Sequence, residues 1–178
     1  MNVKSCAVIG HRPTRFKFGY KEHYAGCKRL KKRLHEQFAL LYEKGVRHFY
    51  VGGSLGVDMW AGELILRMKE QVEYKDIDLY IILPFEGHDT SWDERSKARM
   101  TFLRKHCTNV MVIATQNQSP AEIYRKRNEY LIERADVMVA VYDNNRSVCN
   151  DTGVLVCFAE EKGIPIILIH PDSGVVSW

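Results

Sequence analysis

The sequence predicts an α/β fold in which a mostly parallel sheet lies between two layers of helices. Six short apolar runs alternate with longer segments whose apolar residues recur every three or four positions. The run over residues 77–83 is almost continuous in apolar residues, as expected of a strand that helices cover on both faces. No repeat, linker or low-complexity tract interrupts the 178 residues, so we expect a single domain over 1–178.

Each element has its own sequence pattern. The apolar runs predict strands at residues 3–9, 46–51, 77–83, 110–114, 137–142 and 164–169. Helices are predicted at residues 22–44, 57–70, 91–106, 120–134 and 153–162. Gly45 suits the end of the first helix, and Pro120 suits the first turn of the fourth. Ser91, with Glu94 three residues later, has the capping-box pattern at the start of the third.

Charge composition narrows the class of partner. The 26 Lys and Arg residues against 22 Asp and Glu give a net charge of +4, which does not require a nucleic acid as partner. The basic run Lys28–Arg33 is either a nucleic-acid patch or the solvated face of a helix. We favour the solvated face, because such runs usually have that role.

The cysteines and the first residues indicate the cellular compartment. The five cysteines are scattered, with no CxxC pair and no close Cys/His spacing of the zinc kind, so we expect no metal site. The apolar run before His11 is too short for a signal peptide, and no segment reaches membrane-spanning length. We therefore expect reduced thiols, a cytoplasmic location and no membrane association.

Residues 52–56, Gly-Gly-Ser-Leu-Gly, are the stretch most indicative of a function. They lie between a predicted strand and a predicted helix. Glycines at such a turn let backbone N–H groups approach a ligand with no Cβ in the way, and the positive end of the helix favours an anion. A phosphate, or a nucleotide that carries one, fits this description. The alternative is that a strand-to-helix turn simply needs glycine.

Other candidate residues follow the predicted strands. In a parallel sheet, ligands bind outside the carboxyl ends of the strands. The loops expected there begin at residues 10–12, 52–54, 84–86, 114–116 and 143. Arg12, with Arg125 or Arg127, has the planar donor geometry that pairs with phosphate oxygens, although we expect Arg125 in a surface ion pair. Asp58 is placed to cap its helix or to accept a hydrogen bond from a sugar hydroxyl.

Aromatic and acidic side chains complete the candidates. Trp60 and Trp92 are either stacking partners for a base or core aromatics. If the ligand is hydrolysed, Glu86, Asp58 and Asp143 are the candidates for general acid or base.

Two other motifs, a hydrolase elbow and a P-loop, also place glycines between a strand and a helix. Residues 52–56 fit GxSxG, the nucleophile elbow of α/β-hydrolases, and Asp143 and His170 follow Ser54 in the order of that triad. We do not favour a triad, because several strands precede the elbow in that fold and only one does here. No Gly-Lys dipeptide occurs, which excludes a P-loop.

A set of motifs follows the predicted strands in order. It comprises Gly10-His11-Arg12-Pro13, Gly52–Asp58 with Trp60-Ala61, Pro84-Phe85-Glu86, Tyr124, Arg127, Asn128, Tyr130, Ala135-Asp136 and Tyr142-Asp143. Together these motifs resemble the YpsA-like family over nearly the whole chain. That family is part of the SLOG superfamily of Rossmann-like domains, which also holds the LOG phosphoribohydrolases and the DNA-processing protein DprA.

The resemblance implies a Rossmann-like domain that binds a nucleotide or nucleotide-derived ligand, such as an ADP-ribose or NAD-like molecule, and acts as a sensor or regulator. It also implies a homodimer and a protein partner linked to cell division in Gram-positive bacteria. The residues that we expect at the ligand are Gly10, His11, Arg12, Gly52, Gly53, Ser54, Gly56, Asp58, Trp60, Pro84, Glu86, Arg127, Asn128, Asp143, Thr152 and Gly153.

Two superfamily members suggest alternative functions. At a late strand, LOG-type hydrolases have a segment similar to PGGxGTxxE, and the glutamate of this segment is implicated in catalysis. The loop here, residues 143–153, keeps Thr152-Gly153 but lacks both the double glycine and the following glutamate. A LOG-like hydrolase is therefore the first alternative to a sensor. DprA-like nucleic-acid binding is the second, and the mild net charge gives it no independent support.

Overall fold

The described chain, residues 2–114 and 117–178 of a computed structural model, forms one seven-stranded sheet with helices on both faces. The strands are β1 Ser5–Gly10, β2 His48–Val51, β3 Asp78–Leu83, β4 Asn109–Val112, β5 Val137–Val141, β6 Ile166–Ile169 and β7 Val176–Ser177. The helices are α1 Ala25–Glu43, α2 Val57–Lys69, α3 Glu94–His106, α4 Pro120–Arg134 and α5 Asp151–Glu161, with short 3-10 helices at Pro13–Arg15 and Val72–Tyr74.

The strand order places a topological switch point in the middle of the sheet. The order is β4-β3-β2-β1-β5-β6-β7, and every pair is parallel except β6 with β7. The chain moves outward from β1 to β4, then returns to the other side of β1, where Gly10 is in register with Val141 of β5. Loops diverge at such a point and leave a crevice at the carboxyl ends of the two strands. The predicted Rossmann-like α/β fold is confirmed.

Alternating side chains of the central strands divide the core between the two helical layers. Cys6 and Val8 of β1 belong to the core cluster that includes α1, α2 and α3. Ala7 and Ile9, on the opposite face, pack in the cluster that includes α4 and α5. Both faces of β1 are therefore buried, which explains its continuous apolar run.

The starts of α3 and α5 differ from the sequence predictions, and one strand was not predicted. Asp93, not Ser91, caps α3, and its side chain accepts a hydrogen bond from the Ser96 amide at 2.9 Å. Asn150 caps α5 by accepting from the Gly153 amide at 2.8 Å, so the helix begins at Asp151, where a loop was predicted. The two-residue strand β7 was not predicted at all, because it is too short to show a period. No helix in the described ranges is long and apolar enough to cross a membrane.

The start of β5 is tied to the start of β1 by Asp136, which yields a pH-dependent prediction. Its Oδ2 accepts hydrogen bonds from the Lys4 amide (2.8 Å), the Ser5 amide (3.0 Å) and the Ser5 hydroxyl (3.1 Å). Burial raises the pKa of Asp136, but these hydrogen bonds outweigh it and hold the pKa below its ordinary value.

We expect Asp136→Asn to lower the free energy of unfolding by about 1 kcal/mol at pH 7, because a neutral amide accepts more weakly than a carboxylate. A depressed pKa stabilises the fold above the carboxyl's unfolded pKa, and this stabilisation is lost as pH falls through the folded pKa. Urea denaturation should therefore show a difference in the free energy of unfolding between wild type and variant, and this difference should disappear in acid. Glu133→Gln, at an exposed position, serves as the control. A difference in unfolding free energy that is constant with pH would contradict this role of the Asp136 carboxylate.

Candidate functional site

A cavity of about 200 Å³ opens at the carboxyl end of β1, beside the β1/β5 boundary. We call it the switch-point cavity. Its wall combines the first loop (Gly10, His11, Arg12), the glycine loop (Ser54, Asp58), Arg127 of α4 and the start of α5 (Asn150, Asp151, Thr152). Of the loops expected from the strand-end rule, the first loop and the glycine loop contribute to this wall.

Two oppositely charged side chains, both buried, hold the glycine loop. Asp58 is 7% exposed and Arg127 is 6% exposed. The Arg127 Nη1 donates to the Gly52 carbonyl at 2.9 Å, and the Asp58 Oδ2 accepts from the Ser54 amide at 3.1 Å. Burial raises the pKa of Asp58 and lowers the pKa of Arg127, and the opposite charge of each counteracts the shift in the other.

The glycines are required by contacts inside the protein. At Gly52, a Cβ atom would lie 2.9 Å from the Asp58 Oδ2 and 3.1 Å from the Arg127 Nη1. Gly56 has φ +86°, and a Cβ there would lie 2.5 Å from the His11 carbonyl oxygen. These contacts agree with the alternative that the turn needs glycine for its own packing. Recognition of a phosphate then depends on the neighbouring side chains and helix ends.

His11 has an unsatisfied nitrogen at this cavity. The residue is buried, its Nδ1 lies 3.4 Å from the Thr152 hydroxyl, and its Nε2 has no hydrogen-bond partner among the described residues. Burial, assisted by the positive charge of Arg15, lowers the pKa of His11 despite the opposing charge of Asp143. The imidazole is therefore neutral at neutral pH, with a nitrogen that a ligand or water would satisfy.

Arg12 stands where three cavities meet. Besides the switch-point cavity, it lines a polar cavity of about 550 Å³ and a groove of about 650 Å³. The polar cavity has Ser54, His88, Ser91, Asp93, Trp92 and Tyr124 among its lining residues. The α4–α5 groove is lined by Arg12, Ala121, Tyr124, Arg125, Asn128, Glu129, Asp151, Val154, Leu155 and Phe158. The exposed guanidinium of Arg12 forms no ion pair within residues 2–114 and 117–178.

Some predicted ligand residues lie away from these cavities. Trp60 is buried in the core, with ring centroids 5.2 Å from Phe16 and 5.9 Å from Phe18, so it does not stack on a ligand. Glu86 is largely exposed and accepts two hydrogen bonds from Arg104, at 2.9 and 3.2 Å. The core alternative therefore holds for Trp60, whereas Glu86 lines none of the three cavities and its role at the ligand stays a prediction.

Two more predicted residues have structural partners. Asp143 pairs with Arg15 at 2.6 Å and lies beside the switch-point cavity rather than in its wall. Gly153 is needed for packing, because a Cβ there would lie 2.8 Å from the Tyr142 hydroxyl. Gly53 is likewise packed, since its Cβ would lie 2.4 Å from Leu83.

Other predictions agree with the position of the cavities. Pro84 and Trp92 line the polar cavity, and Asn128 lines the α4–α5 groove. Arg125 lies 3.8 Å from Glu129 in the expected surface ion pair. Thr115 and Gln116, in the loop after β4, fall outside the described residues. Their place at the site stays a prediction.

Sequence reasoning missed several wall residues. Asn150 precedes Gly153 by three positions, and this N-cap spacing was the available clue to the start of α5. Arg15 follows Arg12 in the first loop and had no distinguishing pattern. His88 places its Nε2 2.9 Å from the Gly53 carbonyl, a contact between distant loops that no local pattern encodes.

The hydrolase triad is not assembled. The Ser54 hydroxyl lies 3.4 Å from the Arg127 guanidinium, and Asp143 binds Arg15. The His170 Nδ1 accepts from the backbone amides of residues 172 and 173, at 3.2 and 3.3 Å. Within the described part of the chain, no group of three His, Cys, Asp or Glu side chains is arranged to hold a metal ion.

Comparison with known proteins identifies the family. The model of the YspA SLOG family (YpsA) matches residues 6–173. This chain belongs to that family. A UPF0398 protein of Bacillus cereus strain B4264 is 31% identical over 145 residues, which cover 81% of this chain and 77% of the relative. A UPF0398 protein of Bacillus thuringiensis strain Al Hakam is 30% identical over 145 residues, with the same coverage of 81% and 77%. The resemblance drawn from the motifs is confirmed.

A solved structure shares the fold of this SLOG domain. DNA processing protein A from Helicobacter pylori, which has a single-stranded DNA binding mode, aligns with a TM-score of 0.57 at 16% identity. The alignment covers 94% of this chain and 65% of the other, so this SLOG domain spans less than two thirds of that protein's length. At this identity the likeness shows the fold alone.

The close contact at Gly56 predicts that a side chain at this position would strongly lower the free energy of unfolding of this SLOG domain. We expect Gly56→Ala to lower the free energy of unfolding by about 3 kcal/mol, from the left-handed backbone and the overlap with the His11 carbonyl. Gly163 is the matched control, because its φ is +71° and no atom lies within 4 Å of the position that a Cβ would take. Gly163→Ala should cost only about 1 kcal/mol. Equal losses of unfolding free energy in the two variants, measured by urea denaturation, would show that the loop contact tolerates a side chain and would contradict this prediction.

The buried charges of the site predict a second stability effect. Arg127→Met should destabilise the SLOG domain by about 3 kcal/mol, because it leaves Asp58 buried without a positive neighbour. Adding Asp58→Asn should restore part of the loss. Arg125→Met, on the exposed face of the same helix, should change stability by less than about 0.5 kcal/mol. Chemical denaturation measures the wild type, these three variants and Asp58→Asn alone, and additive losses in the double variant would refute the electrostatic coupling.

Proposed function

We propose that this protein binds a nucleotide-type ligand by its phosphate in the switch-point cavity and acts as a sensor or regulator. The observation that carries this proposal is Arg12, an exposed guanidinium with no ion pair in the described ranges, at the junction of three cavities. A planar, permanently charged donor set suits two oxygens of one phosphate.

The surroundings of Arg12 favour an anion. The first residues of α5, including Asp151 and Thr152, line the cavity, and the positive end of a helix dipole attracts negative charge. The neutral His11 adds a nitrogen without a hydrogen-bond partner in the described chain. The opposing carboxylate of Asp58 is engaged by the Ser54 amide and lies near Arg127. Three arginines, Arg12, Arg15 and Arg127, line the cavity against two carboxylates, Asp58 and Asp151.

The sizes of the cavities support a ligand larger than phosphate. The switch-point cavity, at about 200 Å³, suits a phosphate, and the neighbouring spaces of about 550 and 650 Å³ have the volume of small-molecule sites. Because Arg12 borders both spaces, a phosphate held there leaves room for groups on either side. An ADP-ribose or NAD-like molecule has this form, with its phosphates between two arms.

The alternative functions have less support. Of the three carboxylates considered for hydrolysis, only Asp58 lines the switch-point cavity, and burial raises its pKa as a general acid requires. On α1, Lys31 pairs with Glu22 at 2.7 Å and Arg33 pairs with Glu36 at 2.8 Å, which weakens the basic run as a nucleic-acid surface. The homodimer and the protein partner linked to cell division are proposed from family resemblance alone.

The central test is the loss of ligand affinity in Arg12→Ala. Calorimetric titration with AMP, ADP, ATP, NAD and ADP-ribose should give a ligand whose affinity falls about 10- to 100-fold in this variant, the cost of removing a charge-assisted hydrogen bond. Arg67→Ala is the matched control, because Arg67 is exposed near the end of α2 and lines none of the three cavities.

The same experiment separates a sensor from an enzyme. A sensor returns the ligand intact after overnight incubation, as measured by mass spectrometry, whereas hydrolysis that Asp58→Asn abolishes would replace the sensor proposal with the enzyme. Equal affinities of wild type and Arg12→Ala for every ligand that binds would refute the phosphate site.

A further inference from the structure

The α4–α5 groove adjoins the switch-point cavity. The two spaces share Arg12, Asp151 and Leu155 in their walls. A ligand anchored at Arg12 therefore has the groove beside it. The polar cavity also borders Arg12, so the chemistry of the two spaces decides which part of a ligand each one receives.

The two spaces differ in polarity. Four groove residues, Ala121, Val154, Leu155 and Phe158, present aliphatic or aromatic carbon, and the ring of Tyr124 adds to them. Val154 is 55% exposed and lines the groove together with Leu155 and Phe158, so an apolar surface is available to a ligand there. By contrast, hydroxyl, imidazole and carboxylate groups line the polar cavity. An apolar ring gains from burial in the groove, whereas a sugar gains from hydrogen bonds in the polar cavity.

The Asn128 side chain places a hydrogen-bond donor at the side of the groove. The Asn128 Oδ1 accepts from the Arg127 Nε (3.3 Å) and Nη2 (3.2 Å), which fixes the orientation of the amide. Its amide nitrogen makes no hydrogen bond in the part of the chain that is described, and it remains a donor. Glu129, the next residue, lies 3.8 Å from Arg125 in an ion pair. The Asn128 amide donor therefore complements an acceptor atom on the edge of a base.

We infer that the α4–α5 groove is the subsite for the base of the nucleotide. This inference rests on the proposed phosphate site and adds the position of the base to it. The phosphate lies at Arg12, the base covers Val154 and packs against Phe158, and the sugar is directed towards the polar cavity. Contact of a base with aromatic and aliphatic side chains adds affinity that ribose 5-phosphate lacks.

The test compares AMP with ribose 5-phosphate, which carries the same phosphate and sugar without the base. Calorimetric titration of the full chain should show AMP binding at least about 10-fold more tightly, the effect of one stacked base. Val154→Gln puts a neutral polar side chain in the groove and should weaken AMP about 10-fold with ribose 5-phosphate unchanged. Val148→Gln is the matched control: Val148 is 53% exposed but does not line the groove, so both affinities should stay at wild-type values.

The possible failures are distinguishable. Equal affinities of the wild type for AMP and ribose 5-phosphate would overturn the base subsite and leave the phosphate site standing. AMP affinity unchanged in Val154→Gln, or an equal loss for both ligands, would also overturn the base subsite. Binding of neither AMP nor ribose 5-phosphate would overturn this inference, and loss of every phosphate ligand would overturn the proposed function with it. Thermal melts of both variants verify that they fold.

Discussion

The site depends on the close approach of the first loop to the glycine loop. A Cβ at Gly10 would lie 2.5 Å from Val57, and one at Gly56 would lie 2.5 Å from the His11 carbonyl. The Val57 amide completes the contact by donating to that carbonyl at 3.3 Å. Because no side chain fits between the loops, Arg12 is held beside Ser54, and the cavity wall is formed by backbone that has little freedom to move.

Buried charge is the second constraint. Burying a charged group is unfavourable unless it is paired or hydrogen-bonded. Asp58 and Arg127 meet this condition by binding the glycine loop from two sides of Gly52, and Arg127 also donates to the Asn128 side chain. A hydrophobic pair would fill the same space at lower cost. Such an arrangement supports preorganisation: the loop is held in one conformation before a ligand arrives, so the ordering cost is met during folding.

The sequence was a good guide to topology and a partial guide to the site. Alternating apolar runs and helical periods determine a parallel sheet, and the bounds of α4, with Pro120 at its first turn, were predicted without error. The strand-end rule brought Arg12 and Ser54 to one cavity wall, and their role at a ligand stays a prediction. Trp60 was misplaced because a helical residue near a loop points either to the ligand or to the core, and spacing alone does not distinguish them. Contacts between distant loops, such as His88 with Gly53, are absent from any local pattern.

The central claim, that Arg12 holds the phosphate of a nucleotide-type ligand, is tested most directly by NMR. In protein labelled with nitrogen-15, the side-chain Nε–H signals of Arg12 and Arg67 are assigned by substitution and followed during titration with ADP-ribose and AMP. We predict a saturable shift of the Arg12 signal, at the ligand concentration that saturates binding, with the Arg67 signal unmoved. Saturable binding that shifts other signals and leaves Arg12 unchanged would contradict the claim.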